Sequence, residues 1–447
     1  MSAKRPARRA SQTTAPSPSD DLLAFLDASP TPYHAVAEAV SRLEAQGFTR
    51  LDERAAWTLG PGDRRFVVRF GSSIAAFRVG SKPPGESGFR LVGAHTDSPN
   101  LRLKPKPASV REANLCLDVE VYGSPILATW TDRDLGVAGR VAVEGRLGVE
   151  ERLVRIETSV ARIPNVAIHL NRAVNEDGLK LDKHRHLAPV LSAWAGLGLP
   201  DAAVRSWIAS AAACEPDSIL GFDLGLFDLQ PARYAGLAAE FIVSARLDNL
   251  ASCHSALSAL CAADDAPSTS VALLFDHEEV GSESAEGAAG PFARDLLSRV
   301  VEAFPANGGL ARAVARSLLV SADMAHAVHP NQPERHDGVH APRINGGPAV
   351  KTNANQRYAT DGTTGAFFRA LCRAVDVPCQ EFVSRGDQPC GSTIGPIVAS
   401  GLGVRTVDVG NPMWAMHSVR ETAGRADVLS MIRVLTRFFG GHDPLPG

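Results

Sequence analysis

In the stretch LLFDHEEVGSESAEGA an apolar run beginning at Leu273 ends in four ionisable residues, Asp276, His277, Glu278 and Glu279. Like charges this close are costly unless an opposite charge lies between them. Other apolar runs end in similar residues: LVGAH at His95 with Asp97 two positions on, IVSARLD at Asp248, and LLVSAD at Asp323. VDVGNPMWAMH reaches His417 through a short loop. Two imidazoles and several carboxylates on one edge carry too much negative charge without cations, and mixed nitrogen and oxygen donors suit Zn2+ or a similar ion. Four donors would close one structural site. Five donors and a spare carboxylate suit two metals about 3.5–4 Å apart, bridged by a carboxylate and a water. Asp248 is the candidate bridge because it lies between the other segments in the chain, although spacing alone does not decide it.

Each motif taken singly has a plainer explanation. ARLDN and VSAD could be Asx-type turns capping the next helix, and the glutamate pair could be solvated. Their joint occurrence, each directly after an apolar run, is what points to metal. Neighbouring backbone positions aim side chains differently, so one glutamate can grip a metal while the other moves a proton. The residues themselves leave open which does which. His277 is placed to orient its neighbours. His184 and His186 read as surface residues, His254 as a helix-face residue, and His336 and His340 sit in a polar loop.

The elements that must hold these residues alternate. Strand-like VALLFD, SLLVSADM, PCQEFVS and GVRTVDVG interleave with helical GPFARDLLSRVVEAF, TTGAFFRALCRAV and RADVLSMIRVLTRFF, and EFIVS runs into a helix at LASCHSALSALCAA. That alternation predicts an α/β layer sandwich with a largely parallel sheet, whose ligand sites collect beyond the carboxyl ends of its strands. Residues 101–238 differ: LCLDVEVYG, GRVAVEG and RLVRIET are short alternating segments separated by turn residues, as in an antiparallel β-rich unit. The expected organisation is a discontinuous α/β domain over 20–100 and 239–447, a β-rich insertion over 101–238, and a disordered basic tail over 1–19. Asp20 or Asp21 is the expected cap of the first helix.

Composition narrows the class. The 447 residues exceed one average domain of roughly 150. With 45% hydrophobic and 21% charged residues and a net charge of −3, the chain reads as a soluble enzyme, with neither nucleic acid nor membrane as partner. No apolar run approaches the ~18–20 residues of a membrane-spanning helix. Its seven cysteines are odd in number and scattered without a C-x-x-C pair, which favours reduced thiols. The N-terminus lacks the apolar core of a secretory signal, so the expected location is cytoplasmic.

Eight segments carry a resemblance to a known family. They are GAHTDSPNLRLKPKP, IPNVAIHLNR, SARLDNLASCHSAL, DHEEVGSESAEGA, VSADMAHAVHPN, QRYA, PCGSTIGPI and AMHSVRET. In that order, from about residue 20 to 440, the chain resembles the aspartyl aminopeptidases, co-catalytic di-zinc exopeptidases that remove N-terminal acidic residues from peptides. The resemblance implies that His95 and Asp323 ligate one zinc, Glu279 and His417 the other, and that Asp248 bridges them. It makes Glu278 the general base that activates a metal-bridged water. It assigns His326, Lys351 and Tyr358 to the substrate pocket, with Lys351 as the cation for an acidic side chain, and sends His169 into a neighbouring subunit's active site. It further implies a three-layer α/β catalytic domain with an inserted β-rich dimerisation domain, assembled as a tetrahedral dodecamer. The cofactor implied is two Zn2+ per subunit, with Co2+ or Mn2+ able to substitute, and the substrates are peptides with a free acidic N-terminus.

Overall fold

The computed structural model describes residues 16–196, 198–304 and 308–446. Residues 1–15 of the expected tail lie outside the described residues. Its last residues, Pro18 and Ser19, already belong to a helix, Pro18–Ala28. The cap is Ser17 rather than Asp20 or Asp21. Ser17 Oγ accepts the Asp20 N–H at 3.2 Å, and the Asp20 carboxylate accepts the Ser17 N–H at 3.3 Å. This reciprocal pair satisfies two otherwise orphaned donors, and Pro18 at the first helical position has no N–H to leave unpaired.

The strands in chain order begin with β1 (Thr49–Arg50), β2 (Arg64–Arg69), β3 (Ser73–Arg78) and β4 (Phe89–His95). There follow β5 (Asn100–Arg111), β6 (Asn114–Tyr122), β7 (Leu135–Gly145), β8 (Gly148–Ala161), β9 (Val190–Ala193) and β10 (Ile219–Asp228). The next are β11 (Arg233–Ala235), β12 (Phe241–Ser244), β13 (Thr269–Phe275), β14 (Leu318–Ala322) and β15 (Ala325–His326). The last are β16 (Ala349–Thr352), β17 (Gln380–Val383), β18 (Arg405–Gly410), β19 (Pro412–Trp414) and β20 (Glu421–Gly424).

The main sheet has the order β1-β2-β3-β13-β4-β14-β18-β16-β17. Its centre, β13-β4-β14-β18, is parallel throughout. The flanks are not: β2 and β3 form a hairpin, and β16 runs against β18. A tight turn such as that between β2 and β3 can only join antiparallel strands, because a parallel return needs a crossover. Successive side chains alternate between two cores. Val92 and Ala94 of β4 face helices that include Leu247–Ala262 and Arg425–Phe439, while Phe89 and Leu91 face Phe292–Glu302 and Ile394–Leu402. A strand buried on both faces has to read as a continuous apolar run, which is why these strands were visible in sequence. The covering helices show the matching period: Phe292, Ala293, Leu296, Leu297, Val300 and Val301 form the buried stripe of Phe292–Glu302. The result is the expected three-layer α/β arrangement.

A second sheet, β8-β7-β10-β5-β6-β9, is antiparallel and is built entirely between β4 and β11 in the chain. The helix Pro200–Ala212 covers it with Val204, Ile208, Ala209 and Ala212. A third sheet, β11-β12-β20-β19-β15, was not foreseen. The EFIVS segment falls here and not in the main sheet. Strands of two to four residues carry too few side chains for their pattern to say which sheet they join.

Among the described residues no helix is long and apolar enough to cross a membrane. All seven cysteines are free.

Candidate metal centre

Three of the five expected metal ligands, together with Glu278, lie at the carboxyl ends of the parallel strands. His95 is the last residue of β4, in register with Phe275 at the end of β13. After Asp276 the chain turns through a left-handed His277, φ 64°, into a short 3-10 turn that carries Glu278 and Glu279. Asp323 directly follows β14. The other two come from the third sheet, which corrects the expectation that all five end strands of one sheet. Asp248 follows β12 at the non-helical start of Leu247–Ala262, where its peptide bond to Asn249 is cis. His417, at φ 67°, lies between β19 and β20.

These elements bring the side chains into one cluster around Asp248, which is 3% exposed. Its Oδ1 is 3.5 Å from His95 Nε2, and its Oδ2 is 3.5 Å from His417 Nε2. His95 Nε2 also stands 3.6 Å from Asp323 Oδ1 and 4.0 Å from Glu278 Oε2. On the other side His417 Nε2 is 3.3 Å from Glu279 Oε2. Among the described residues three groups of three donors have their atoms within 4.8 Å of one another: His95–Asp248–Asp323 and Asp248–Glu279–His417, which share the Asp248 carboxylate, and His95–Glu278–Glu279.

The protein alone balances this charge with protons. Burial pushes Glu278 up to about 8, with Asp323 and Glu279 adding to the shift against His95. Burial also raises Glu279 to about 7, against the pull of His417. Burial opposes charge on His417, yet contacts with Asp248 and Glu279 carry it up to about 11. His95 is raised well above its usual range in the same way, by Asp248, Asp323 and Asp97 against burial. Asp248 is held down by the two imidazoles despite its burial. A divalent cation would take the place of those protons. The residues fit zinc: Asp248 Oδ1 and Glu279 Oε1 are buried without a hydrogen-bond partner, and the donor set mixes imidazole and carboxylate.

A surrounding layer orients these donors. His95 Nδ1 donates to the Asp97 carbonyl at 3.1 Å, with Asp97 Oδ1 at 3.3 Å. The Asp97 carboxylate also accepts the N–H groups of Glu278 and Glu279, both at 3.1 Å, and the Tyr122 hydroxyl at 2.6 Å. His417 Nδ1 donates to the Ser124 carbonyl at 3.1 Å. With both Nδ1 atoms tied outward, both Nε2 atoms face the cluster. Glu421 accepts the N–H of Asp248 at 3.1 Å and that of His417 at 2.8 Å. Sequence reasoning singled out neither Tyr122 nor Glu421; the available signal was only that Glu421 sits four residues past His417. His277 turns away from the glutamates: Nδ1 is 2.8 Å from Ser284 Oγ, and its N–H donates to Asp276 Oδ1 at 2.7 Å.

The expected pocket residues also come together. Lys351 is buried, with Nζ 3.2 Å from Asp323 Oδ2, 3.2 Å from the Met324 carbonyl and 5.0 Å from the Tyr358 ring centre. Phe382 packs edge-on against both Tyr358 and His326, at 6.2 and 5.8 Å between centroids. His169 is elsewhere, on the exposed turn Ile168–Leu170, and hydrogen-bonds none of the cluster residues. His184 and His186 are exposed, whereas His254 is buried in its helix with Nε2 2.8 Å from Asp21.

Residues 25–439 match the family described as aminopeptidase I zinc metalloprotease (M18). A probable M18 family aminopeptidase 2 from Ectopseudomonas mendocina is 50% identical over 426 residues, spanning 94% of this chain and 98% of its own. A chain in the cryo-EM structure of the Ape4 and Nbr1 complex superposes with a TM-score of 0.91 at 39% identity, over 95% of this chain and 85% of that one. The S. cerevisiae mApe1 dodecamer structure superposes at 0.82 and 27% identity, over 94% and 96%.

Proposed function

Since the chain belongs to the aminopeptidase I zinc metalloprotease family (M18), a family of zinc aminopeptidases, we propose that it holds two zinc ions and removes acidic residues from peptide N-termini. The observation that carries the two-ion reading is the placement of Asp248, with one oxygen towards His95 and the other towards His417. In this reading His95 and Asp323 hold one ion, Glu279 and His417 the other, and Asp248 both, with cobalt or manganese able to substitute. When bound, zinc supplies Lewis-acid polarisation of the scissile carbonyl and makes hydroxide accessible near neutral pH.

Glu278 does the proton work. Its carboxyl group lies 4.0 Å from His95 Nε2, beside the donors, within reach of a water that it can deprotonate before returning the proton to the leaving amine. Asp97 fixes the turn that aims it. Lys351 supplies the charge for an acidic P1 side chain: an ammonium buried beside Asp323 can pair with a β- or γ-carboxylate. Tyr358 packs against it, and Phe382 spaces Tyr358 from His326 at the pocket edge.

The same reading treats 20–100 with 239–447 as the catalytic unit and 101–238 as an inserted dimerisation unit. Val166, Ile168 and Leu170 are exposed apolar residues flanking His169, which supports a subunit contact there and the reach of His169 into a neighbouring site. The assembly proposed is a homo-oligomer, a tetrahedral dodecamer; one of the similar structures is itself described as a dodecamer. The free cysteines suit a cytoplasmic location.

Hydrolysis of Asp-linked and Leu-linked substrates by metal-stripped and zinc-restored protein tests the proposal. Zinc-dependent cleavage favouring Asp is expected. Equal rates on both substrates would remove the acidic preference, and cleavage of an N-acetylated peptide would remove the requirement for a free amine.

A further inference from the structure

The antiparallel sheet reaches the metal centre through three consecutive residues. Tyr122, the last residue of β6, is buried and donates its hydroxyl to Asp97, the residue that orients His95 and holds the Glu278–Glu279 turn. The Arg102 guanidinium lies 3.6 Å from the Tyr122 ring centre and pins the ring from its own sheet. Gly123, at φ 69°, has no side chain where one would intrude: a Cβ there would stand 3.2 Å from Glu279 Cβ and 3.3 Å from Pro99 Cβ. The Ser124 carbonyl accepts from His417 Nδ1. A carbonyl oxygen only accepts, so Nδ1 of His417 carries a proton and donates it to Ser124, which leaves Nε2 as the ring atom that faces Asp248 and Glu279.

The contact continues past these three. Ile126 N–H donates to the His417 carbonyl at 2.9 Å, and Val419 N–H donates to Thr129 Oγ1 at 2.9 Å. The Val419 side chain is buried in the core of the antiparallel sheet. One short segment thus reaches both sides of the cluster: His95, Glu278 and Glu279 through Asp97, and His417 directly.

We propose that Tyr122–Gly123–Ser124 is a positioning clamp through which the antiparallel sheet sets the zinc affinity of the catalytic centre in the same chain. The inference rests on the metal reading above and deepens it. None of the three residues is a ligand; they act by holding ligands in place. Neighbours of this kind typically change metal affinity about 10–100-fold when removed.

The test uses full-length Tyr122→Phe and Gly123→Ala, with zinc affinity measured by chelator competition and the metal-free Tm recorded for each. Tyr234→Phe is the control, because it also loses a hydroxyl bond to an aspartate, Asp20, remote from the cluster. Both clamp variants are expected to bind zinc about tenfold more weakly or worse, beyond what any fall in their metal-free Tm accounts for, with the control unchanged. Wild-type affinity in both variants overturns the proposal. So does a loss of affinity matched by a fall in metal-free Tm, which would mean general destabilisation. If Gly123→Ala does not fold, Tyr122→Phe, which removes a single oxygen, decides. The underlying reading fails separately, if the wild-type chain binds no zinc or Glu279→Gln binds it equally well.

Discussion

Glu421 and Asp248, 173 residues apart in the chain, are joined by a hydrogen bond in which Glu421 Oε2 accepts the Asp248 backbone N–H at 3.1 Å. The other carboxylate oxygen accepts the His417 N–H at 2.8 Å. One buried side chain therefore fixes the backbones of two residues whose side chains face each other at 3.5 Å. A glutamine in its place keeps one acceptor and turns a donor towards the second N–H. Glu421→Gln is expected to weaken zinc binding about 10–100-fold, read by chelator competition. Unchanged affinity would contradict the role.

The adjacent glutamates should separate cleanly. Glu278→Gln is expected to keep its zinc and to lose about 10²–10⁴-fold in kcat, as for a missing acid–base group. Glu279→Gln is expected to lose metal, since its carboxylate faces His417 at 3.3 Å. Metal content by mass spectrometry beside kcat checks both. Reversed occupancies would exchange the two roles.

Lys351→Ala should lower kcat/KM on Asp-peptides about 10–100-fold more than on Leu-peptides, the range for losing a hydrogen bond to a charged group. Some loss on both is expected as well, because Lys351 also pairs with Asp323 and truncation removes that partner from a proposed metal ligand. The Asp-to-Leu ratio is the deciding quantity. A ratio equal to that of the wild type would sink the assignment.

Asp427 offers a pH test away from the metal. It lies buried in Arg425–Phe439 and accepts the N–H groups of Asn345 and Gly347, in the loop leading to β16 and Lys351. Burial pushes its pKa up to about 6 against those two hydrogen bonds. Between about 4 and 6 the folded chain holds a proton that the unfolded chain has released, so this group's contribution to stability falls as pH rises through that window. Asp427→Asn carries no such proton. The Tm of wild type relative to the variant should decline from pH 4 to 6 and then level off; a rise would contradict the assignment.

Much of this was legible in the sequence, for identifiable reasons. β4, β13 and β14 are buried on both faces, so each carries a largely apolar run (Leu91–Ala94 in β4, Val271–Phe275 in β13) that is followed at the strand end by a charged or imidazole side chain. His95, Glu278, Glu279 and Asp323 were visible on that account. Asp248 and His417 were visible as residues but were attributed to the wrong sheet, because β12, β19 and β20 are too short for their pattern to distinguish one sheet from another. Ser17 was missed as a cap because two acidic residues close behind it offered the same chemistry.

What the sequence determined by itself was the supply of donors and the layering: runs of apolar side chains, their periods of two and 3.6, and the polar residues where each run stops. What only the tertiary structure decided was the order of those donors in space. That Asp248 stands between the two imidazoles, that Glu421 and Tyr122 brace the cluster, and that Ser124 sets the proton on His417 all depend on contacts between distant segments. Several of these contacts run through backbone N–H and C=O groups, which every residue carries alike. No residue type or spacing advertises them until packing brings the segments together.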